Sequence, residues 1–331
     1  MSEMSEVPHL LSVIIPVYYN AESLPVLYER LNQVSILLKN AHFEFVFVDD
    51  RSGDDSFAVL KQLSLKDHRV KVVRLSRNFG SFVACLAGLS YCKGHTATII
   101  AADLQDPPEL IVKFYEKWLS GSRVICAVRE ARNENPIKVF ISNIYYRLLR
   151  KYALSEMPKG GFDSVMIDRK VIDFLVTTGE KNTSLMGLIL WAGFERSYIN
   201  YTKQERVHGQ SRWTLNKKIK YFIDSFLGFS YTPIRAISIL GISTAVFALI
   251  AAVYVIFQAL FIGIDVRGFP TTIVFILVSS AIQMLMIGVL GEYVWRNLEE
   301  SRKRPVFLVD QVIDGQQDKV VQTQVEVVSK V

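Results

Sequence analysis

Apolar and polar residues alternate along the first hundred positions in a way that marks strands and helices in turn. Ser12 to Val17 is a short β-branched run that ends at Pro16-Val17-Tyr18, a buried strand opening into a loop. Leu24, Leu27, Leu31, Val34 and Leu38 recur at helical spacing, and Ser23 stands where an N-cap is expected. Phe43 to Val48 reads as the next strand and stops at Asp49-Asp50-Arg51-Ser52-Gly53. Ser56 to Leu65 follows as a helix, Val70 to Leu75 as a strand, Phe79 to Ser90 as a helix and Ala97 to Ala102 as a fourth strand ending at Asp103. Strands and helices alternating at this pace predict an α/β, Rossmann-like domain with a mostly parallel sheet and helices on both faces. Ligands of such sheets bind beyond the C-terminal strand ends, where this chain carries Tyr18, Asp49-Asp50 and Asp103.

The pattern then changes. Arg129 to Gly161 is a looser, basic, helix-bearing segment with Lys138, Arg147, Arg150 and Lys151. Thr214 to Phe229 places Leu215, Ile219, Phe222, Ile223 and Phe226 on one face and lysines on the other, which fits an interfacial helix lying on a membrane; a core-packing helix is the alternative. Beyond Pro233 two uncharged stretches of about 29 and about 24 residues, Ala236 to Ile264 and Gly268 to Gly291, are each long enough to span a bilayer. Past Arg304, valines alternate with polar residues, which suggests strand-like pairing or disorder.

Composition sharpens this division into 1–213, 214–233, 234–296 and 297–331. Half of the 331 residues are hydrophobic, with the excess after Pro233, and the net charge of +6 gathers beside the spans. Lys217, Lys218, Lys220 and Arg235 precede the first span, and Arg296, Arg302, Lys303 and Arg304 follow the second. The short connector, Asp265-Val266-Arg267, has one charge of each sign. By the positive-inside bias, both termini and the α/β domain are expected at the cytoplasmic face of a plasma (inner) membrane, in a multi-pass arrangement. This clustering points to anionic lipid rather than nucleic acid as the basic face's partner. Cys85, Cys92 and Cys126 lack metal-ligand spacing and are expected as reduced thiols.

Candidate chemistry concentrates in Asp103-Leu104-Gln105-Asp106-Pro107-Pro108-Glu109. A carboxylate and an amide oxygen two residues apart in extended backbone point the same way, and both are hard ligands suited to Mg2+ or Mn2+ shared with a diphosphate. The competing reading is an acidic turn before a helix, with Asp106 as its N-cap.

Taken with Pro16-Val17-Tyr18, Val48-Asp49-Asp50-Arg51-Ser52 and Arg77-Asn78-Phe79-Gly80, this motif resembles the family 2 glycosyltransferases in order and spacing. The resemblance is greatest to the polyprenyl-phosphate group, including GtrB-type glucosyltransferases and, more distantly, dolichol-phosphate mannose synthases. It extends from about Leu11 to Val309 and includes the two spans. It implies a GT-A catalytic domain that transfers a hexose from a nucleotide sugar, UDP-glucose foremost, to polyprenyl (undecaprenyl) phosphate, with tetramers as the implied assembly. Pro16, Tyr18 and Asp49 or Asp50 would hold the base and ribose, with Arg77 in the adjoining motif, and Asp103 and Gln105 the metal on the diphosphate. Arg129 would face a donor or acceptor phosphate, and Asp163, in Gly161-Phe162-Asp163, is the base candidate. Arg206 would bind phosphate within a late motif that includes Gly209, Ser211, Arg212 and Trp213. Two positions depart from the family pattern: Ala101 where an additional aspartate is common, and Asn20 where many members carry glutamate. A mannosyl or aminosugar transferase and a non-catalytic nucleotide-sugar scaffold are the rival readings.

Overall fold

The computed structural model describes residues 8–129, 136–158, 160–178, 180, 183–204, 215–261, 268–315 and 319–321. The chain divides into two compact units, one of residues 1–225 with 305–331 and the other of residues 226–304.

The first unit is built on a sheet whose strands are β1 (His9–Val17), β2 (Ala41–Asp49), β3 (Val70–Leu75), β4 (Thr96–Ile99), β5 (Val124–Arg129), β6 (Phe162–Asp168), β7 (Arg196–Tyr201), β8 (Val309–Asp314) and β9 (Lys319–Val321). Their order is β7-β5-β6-β4-β1-β2-β3-β8-β9. The centre is parallel, with β1 between β2 and β4 and β3 beyond β2. β6 runs antiparallel between β4 and β5, and β7 lies parallel to β5. The C-terminal ends of β1, β2, β3, β4, β5 and β7 and the starts of β6 and β8 therefore lie along one edge.

Alternation along β1 explains the two covered faces. Leu11, Val13, Ile15 and Val17 share one core with Leu24, Leu27 and Leu31 of α1 (Leu24–Leu37), Leu60 of α2 (Ser56–Lys66) and Phe114 of α4 (Leu110–Leu119). Ile14 points the other way, against Gly88 of α3 (Ser81–Tyr91), where a Cβ would also sit 3.1 Å from Val48. Burial on both sides is why these strands read as near-continuous apolar runs.

Three local expectations are refined or corrected. Ser23 occupies the N-cap position of α1 as expected, but its side chain makes no capping bond; its hydroxyl donates to the Ala102 carbonyl at 2.7 Å and so ties the start of α1 to the end of the β4 segment. β4 ends at Ile99 rather than Ala102, because the chain turns away after Ile100 makes a last backbone bond to Ile14. Asp106 is not the cap of α4, which begins beyond Glu109.

The loosened basic segment contains α5 (Pro136–Tyr152), followed after β6 by α6 (Arg169–Thr178) and α7 (Leu185–Trp191). The amphipathic stretch forms α8 (Leu215–Phe229). Tyr221 bonds Ser184 at 2.8 Å, and the ring of Phe222 lies 5.7 Å from that of Tyr145 on α5. Asp224 and Ser225 are buried, whereas Phe222 and Ile223 each keep 38% of their surface exposed. One side of α8 thus packs on the domain while apolar groups remain uncovered. The valine-rich tail supplies β8, antiparallel to β3, with Phe307 and Ile313 buried.

The second unit consists of α9 (Thr232–Phe261) and α10 (Phe269–Ser301). Thr232–Gln258 and Val274–Ser301 are long and apolar enough to cross a membrane. The two helices touch where Met286 closes over Gly241 and where Phe247 and Phe275 lie 6.3 Å apart. Gly288 and Gly291 face open space.

Candidate active site

On the β1–β2–β3 side of the edge, short polar side chains hold the loops. Pro16 pairs with Val48 inside the sheet, and Tyr18 follows, half-buried, with its ring edge-on to Tyr19 at 4.7 Å. The Tyr18 amide donates to Asn20 Oδ1 at 3.0 Å, so the residue standing in place of glutamate shapes this turn. Tyr19, in the left-handed region at φ 59, donates its amide to Ser52 Oγ, and Asn20 donates to Ser56 Oγ. These bonds join the β1 loop to the β2 loop.

The two adjacent aspartates are both buried and do different work. Asp49 Oδ1 accepts the Ser52 amide at 3.0 Å, and Oδ2 lies 3.3 Å from Arg74 Nε. Asp50 accepts the Phe79 and Gly80 amides at 2.7 and 2.9 Å, one on each oxygen. The Arg77–Gly80 motif is therefore folded around the Asp50 carboxylate, with Gly80 at φ 97 completing the turn. Arg77 is exposed, and its guanidinium lies 4.2 Å from the centre of the Phe79 ring.

At the sheet centre the acidic motif is a tight turn and not the extended backbone anticipated. Leu104 is buried at φ 61, and the Gln105 amide donates to Asp103 Oδ1 at 3.2 Å. The turn leaves both Asp103 and Gln105 half-buried at the edge. Among the described residues no three His, Cys, Asp or Glu side chains form a metal-binding group. One carboxylate and one amide oxygen still fit a hard divalent ion that takes most of its ligands from phosphate and water, as Mg2+ commonly does.

On the β6–β5–β7 side, Asp163 is the hub of a charged cluster. Its Oδ2 accepts from Arg129 Nε at 2.6 Å and also from Arg129 Nη2, from Lys203 Nζ at 3.0 Å and from the Tyr201 hydroxyl at 3.4 Å. Tyr201 donates more closely to Asp106 Oδ1, at 2.6 Å. Register explains the meeting: Arg129 and Tyr201 are paired residues at the ends of parallel β5 and β7, and Asp163 lies at the start of β6 beside them. Gln204 continues the link, donating its amide to the Gln105 carbonyl at 2.9 Å, while Arg30 reaches Gln204 Oε1 and Glu109.

The electrostatics separate the two carboxylates. Burial alone raises the Asp163 carboxyl, but Lys203 and then Arg129 outweigh it and hold the pKa below the ordinary range. Burial, opposed by Lys203 and reinforced by Asp163, leaves Asp106 raised. Tyr201 is raised by burial and by both carboxylates, so it remains a donor. Lys203 and Arg129 thus favour the ionised form of Asp163 and weigh against its accepting a proton.

The structure therefore brings Arg129 and Asp163 together, sets Asp103 and Gln105 in one turn, and places Pro16, Tyr18, Asp49, Asp50 and Arg77 on the other flank. Arg206 and its late motif lie outside the described residues. The places of Lys203 and Tyr201 in this cluster, and the bond that Asp106 accepts from Tyr201, were missed by sequence reasoning. Their one visible signal was a tyrosine in the inward alternation of Ile199 and Tyr201, with a lysine just past the strand end.

Comparison with known proteins accords with this arrangement. A model described as glycosyl transferase family 2 matches residues 12–175. An uncharacterized glycosyltransferase of Bacillus subtilis, YkcC, is 36% identical over 90% of this chain and 92% of its own. A prophage bactoprenol glucosyl transferase homolog of Escherichia coli K12 is 30% identical over 91% of this chain and 99% of its own. The bactoprenol glucosyl transferase of Shigella phage SfV is 30% identical over 90% and 97%. Similarity that runs through the sheet, the edge motifs and both apolar helices makes this chain an enzyme of the family 2 glycosyltransferases, in the GtrB-type polyprenyl-phosphate group.

Proposed function

We propose that the enzyme transfers one glucose from UDP-glucose to a polyprenyl phosphate, undecaprenyl phosphate in a bacterium, at the cytoplasmic face of the membrane. The observation that carries the reading is the layout of the edge. The hard-oxygen turn of Asp103 and Gln105 sits at central β4, the Tyr18 and Asp49-Asp50 loops lie toward β1–β3, and cations lie toward β5–β7. A donor with its diphosphate at β4 and its base over Tyr18 and the Asp49-Asp50 loop presents the sugar to the cationic flank, where the acceptor phosphate would enter.

Asp103 and Gln105 would hold Mg2+ or Mn2+, which supplies stabilisation of the charge growing on the departing diphosphate. Arg129, with its planar fork, suits a phosphate oxygen pair. A phosphate monoester has a second pKa of about 6 and reaches neutral pH already largely ionised. Asp163 accordingly needs to take no proton; it holds Arg129 and Lys203 in place. One direct displacement inverts the anomeric centre, giving a β-linked sugar phosphate from an α-linked donor. The apolar α9 and α10, flanked by Arg235 and by Arg302, Lys303 and Arg304, anchor both termini on the cytoplasmic side, and self-association would follow the membrane-embedded helices.

The test is the purified full-length protein with a mixed pool of UDP-glucose, GDP-mannose and UDP-aminosugars, polyprenyl phosphate and Mg2+. Mass spectrometry of the lipid product should show a single added hexose drawn from UDP-glucose. Asp103→Ala should reduce product formation at least about a hundredfold, the scale of losing a principal charge-stabilising ligand, while the protein stays folded. Product from another donor alone replaces the glucose assignment, and full activity of Asp103→Ala removes the metal assignment.

A further inference from the structure

Lys203 is a charged side chain at the edge that none of the motifs accounts for. Its ammonium has three donors, and its contact with Asp163 uses one. The Asp163 oxygen it uses is crowded, because Arg129 Nε, Arg129 Nη2 and Tyr201 Oη approach the same Oδ2. One carboxylate oxygen offers about two lone pairs, so the four donors compete for this single oxygen. Two cations, Arg129 and Lys203, share the single Asp163 carboxylate, which leaves this trio with an excess positive charge. Lys203 is about one-fifth exposed and sits two residues beyond the end of β7, on the flank away from the Tyr18 and Asp49-Asp50 loops.

We infer that Lys203 is a ligand for a substrate phosphate, the monoester of the lipid acceptor, and that Asp163 holds it in readiness and yields it to that phosphate. This rests on the acceptor reading above and adds to it a residue and an order of events. A phosphate brings three oxygens and up to two negative charges to a place where one carboxylate oxygen is overcommitted. Lysine suits the exchange, since its flexible stem carries a point charge that can turn from one anion to another without a fixed fork geometry. The donor diphosphate offers similar chemistry, so the experiment separates the two.

Binding to the full-length protein in detergent is measured without turnover, using farnesyl phosphate as acceptor probe and UDP with Mg2+ as donor probe. Lys203→Met should weaken farnesyl phosphate about tenfold or more, the scale of one charged hydrogen bond, and leave UDP within about twofold. Lys203→Arg should recover most of the loss. Asp163→Asn should tighten farnesyl phosphate, because the competing carboxylate charge is gone; a purely structural Asp163 would loosen it. Unchanged farnesyl phosphate binding in Lys203→Met overturns the inference, as does a loss confined to UDP or equal for both ligands. A wild type that binds UDP but no farnesyl phosphate overturns the acceptor reading itself. Wild-type binding that Lys203→Met leaves intact overturns only the role of Lys203.

Discussion

Replacing Tyr201 by phenylalanine removes one oxygen atom and leaves the ring packed as before, since Tyr201 is 5% exposed. The lost hydroxyl donates to Asp106 at 2.6 Å, and Asp106 is 3% exposed. A hydrogen bond to a charged, buried acceptor is worth about 1.5–3 kcal/mol, so about 2 kcal/mol of stability is expected to go when Asp106 is ionised. For a domain of this size that lowers Tm by about 4–8 °C. The pH dependence carries a definite sign. Asp106 has a raised folded pKa, so its share of stability is full below the unfolded value and falls as pH rises through the folded one. Without the tyrosine donor that pKa rises further, and the deficit of the variant should grow with pH and shrink toward the acid range. The assay is tryptophan-monitored thermal unfolding of full-length protein in detergent at pH 5 and pH 8. A deficit below about 1 °C at pH 8, or one equal at both pH values, refutes the reasoning, because roughly 1 kcal/mol should already move Tm by more than this.

Gly88→Ala should destabilise the α/β domain by about 1–3 kcal/mol through overpacking, because its Cβ would meet Ile14 and Val48; a denaturation midpoint equal to wild type refutes it. The Asp163 pKa is lowered, so its contribution is present above the ordinary carboxylate range and is lost only as pH falls through the folded value. The rate defect of Asp163→Asn should therefore be constant from pH 6 to pH 9, and disappearance of an acid limb near neutrality in this variant would show Asp163 to be the base. Burial pushes the Cys85 and Cys126 thiols up to about 12 and Cys92 to about 11. Maleimide labelling of native protein at pH 7.5 should proceed at least about a hundredfold more slowly than after denaturation, as fits inert buried thiols; rapid native labelling contradicts the described burial.

What was legible in the sequence followed from physics that is local. β1, β2 and β3 stand out as apolar runs because parallel strands are covered on both faces, and α1 to α3 follow from apolar spacing. The edge motifs were legible as motifs, whereas their inner workings were not. Nothing local announces that the Ser23 hydroxyl bonds Ala102 instead of capping its own helix, or that Leu104 adopts a left-handed backbone without being glycine. Asp49 and Asp50 look alike in sequence, yet one pairs with Arg74 and the other binds the Phe79 and Gly80 amides. The Asp163 cluster depends on β5, β6 and β7 meeting in a mixed part of the sheet, and Lys203 lies 40 residues from its partner. The tail's alternation left pairing and disorder equally open, because a strand's partner is not written in the strand itself.

That tail has a consequence for how the molecule is made. β8 pairs with β3, and it adds an ion pair from Arg51 to Asp310 at 2.5 Å. Its residues leave the ribosome only after both apolar helices have been synthesised. Until then the outer margin of β3 offers unpaired backbone groups, the kind of surface that invites wrong partners. Completion of the sheet thus has to wait for both apolar helices, and a nascent chain halted before Val309 still lacks the strand that covers β3.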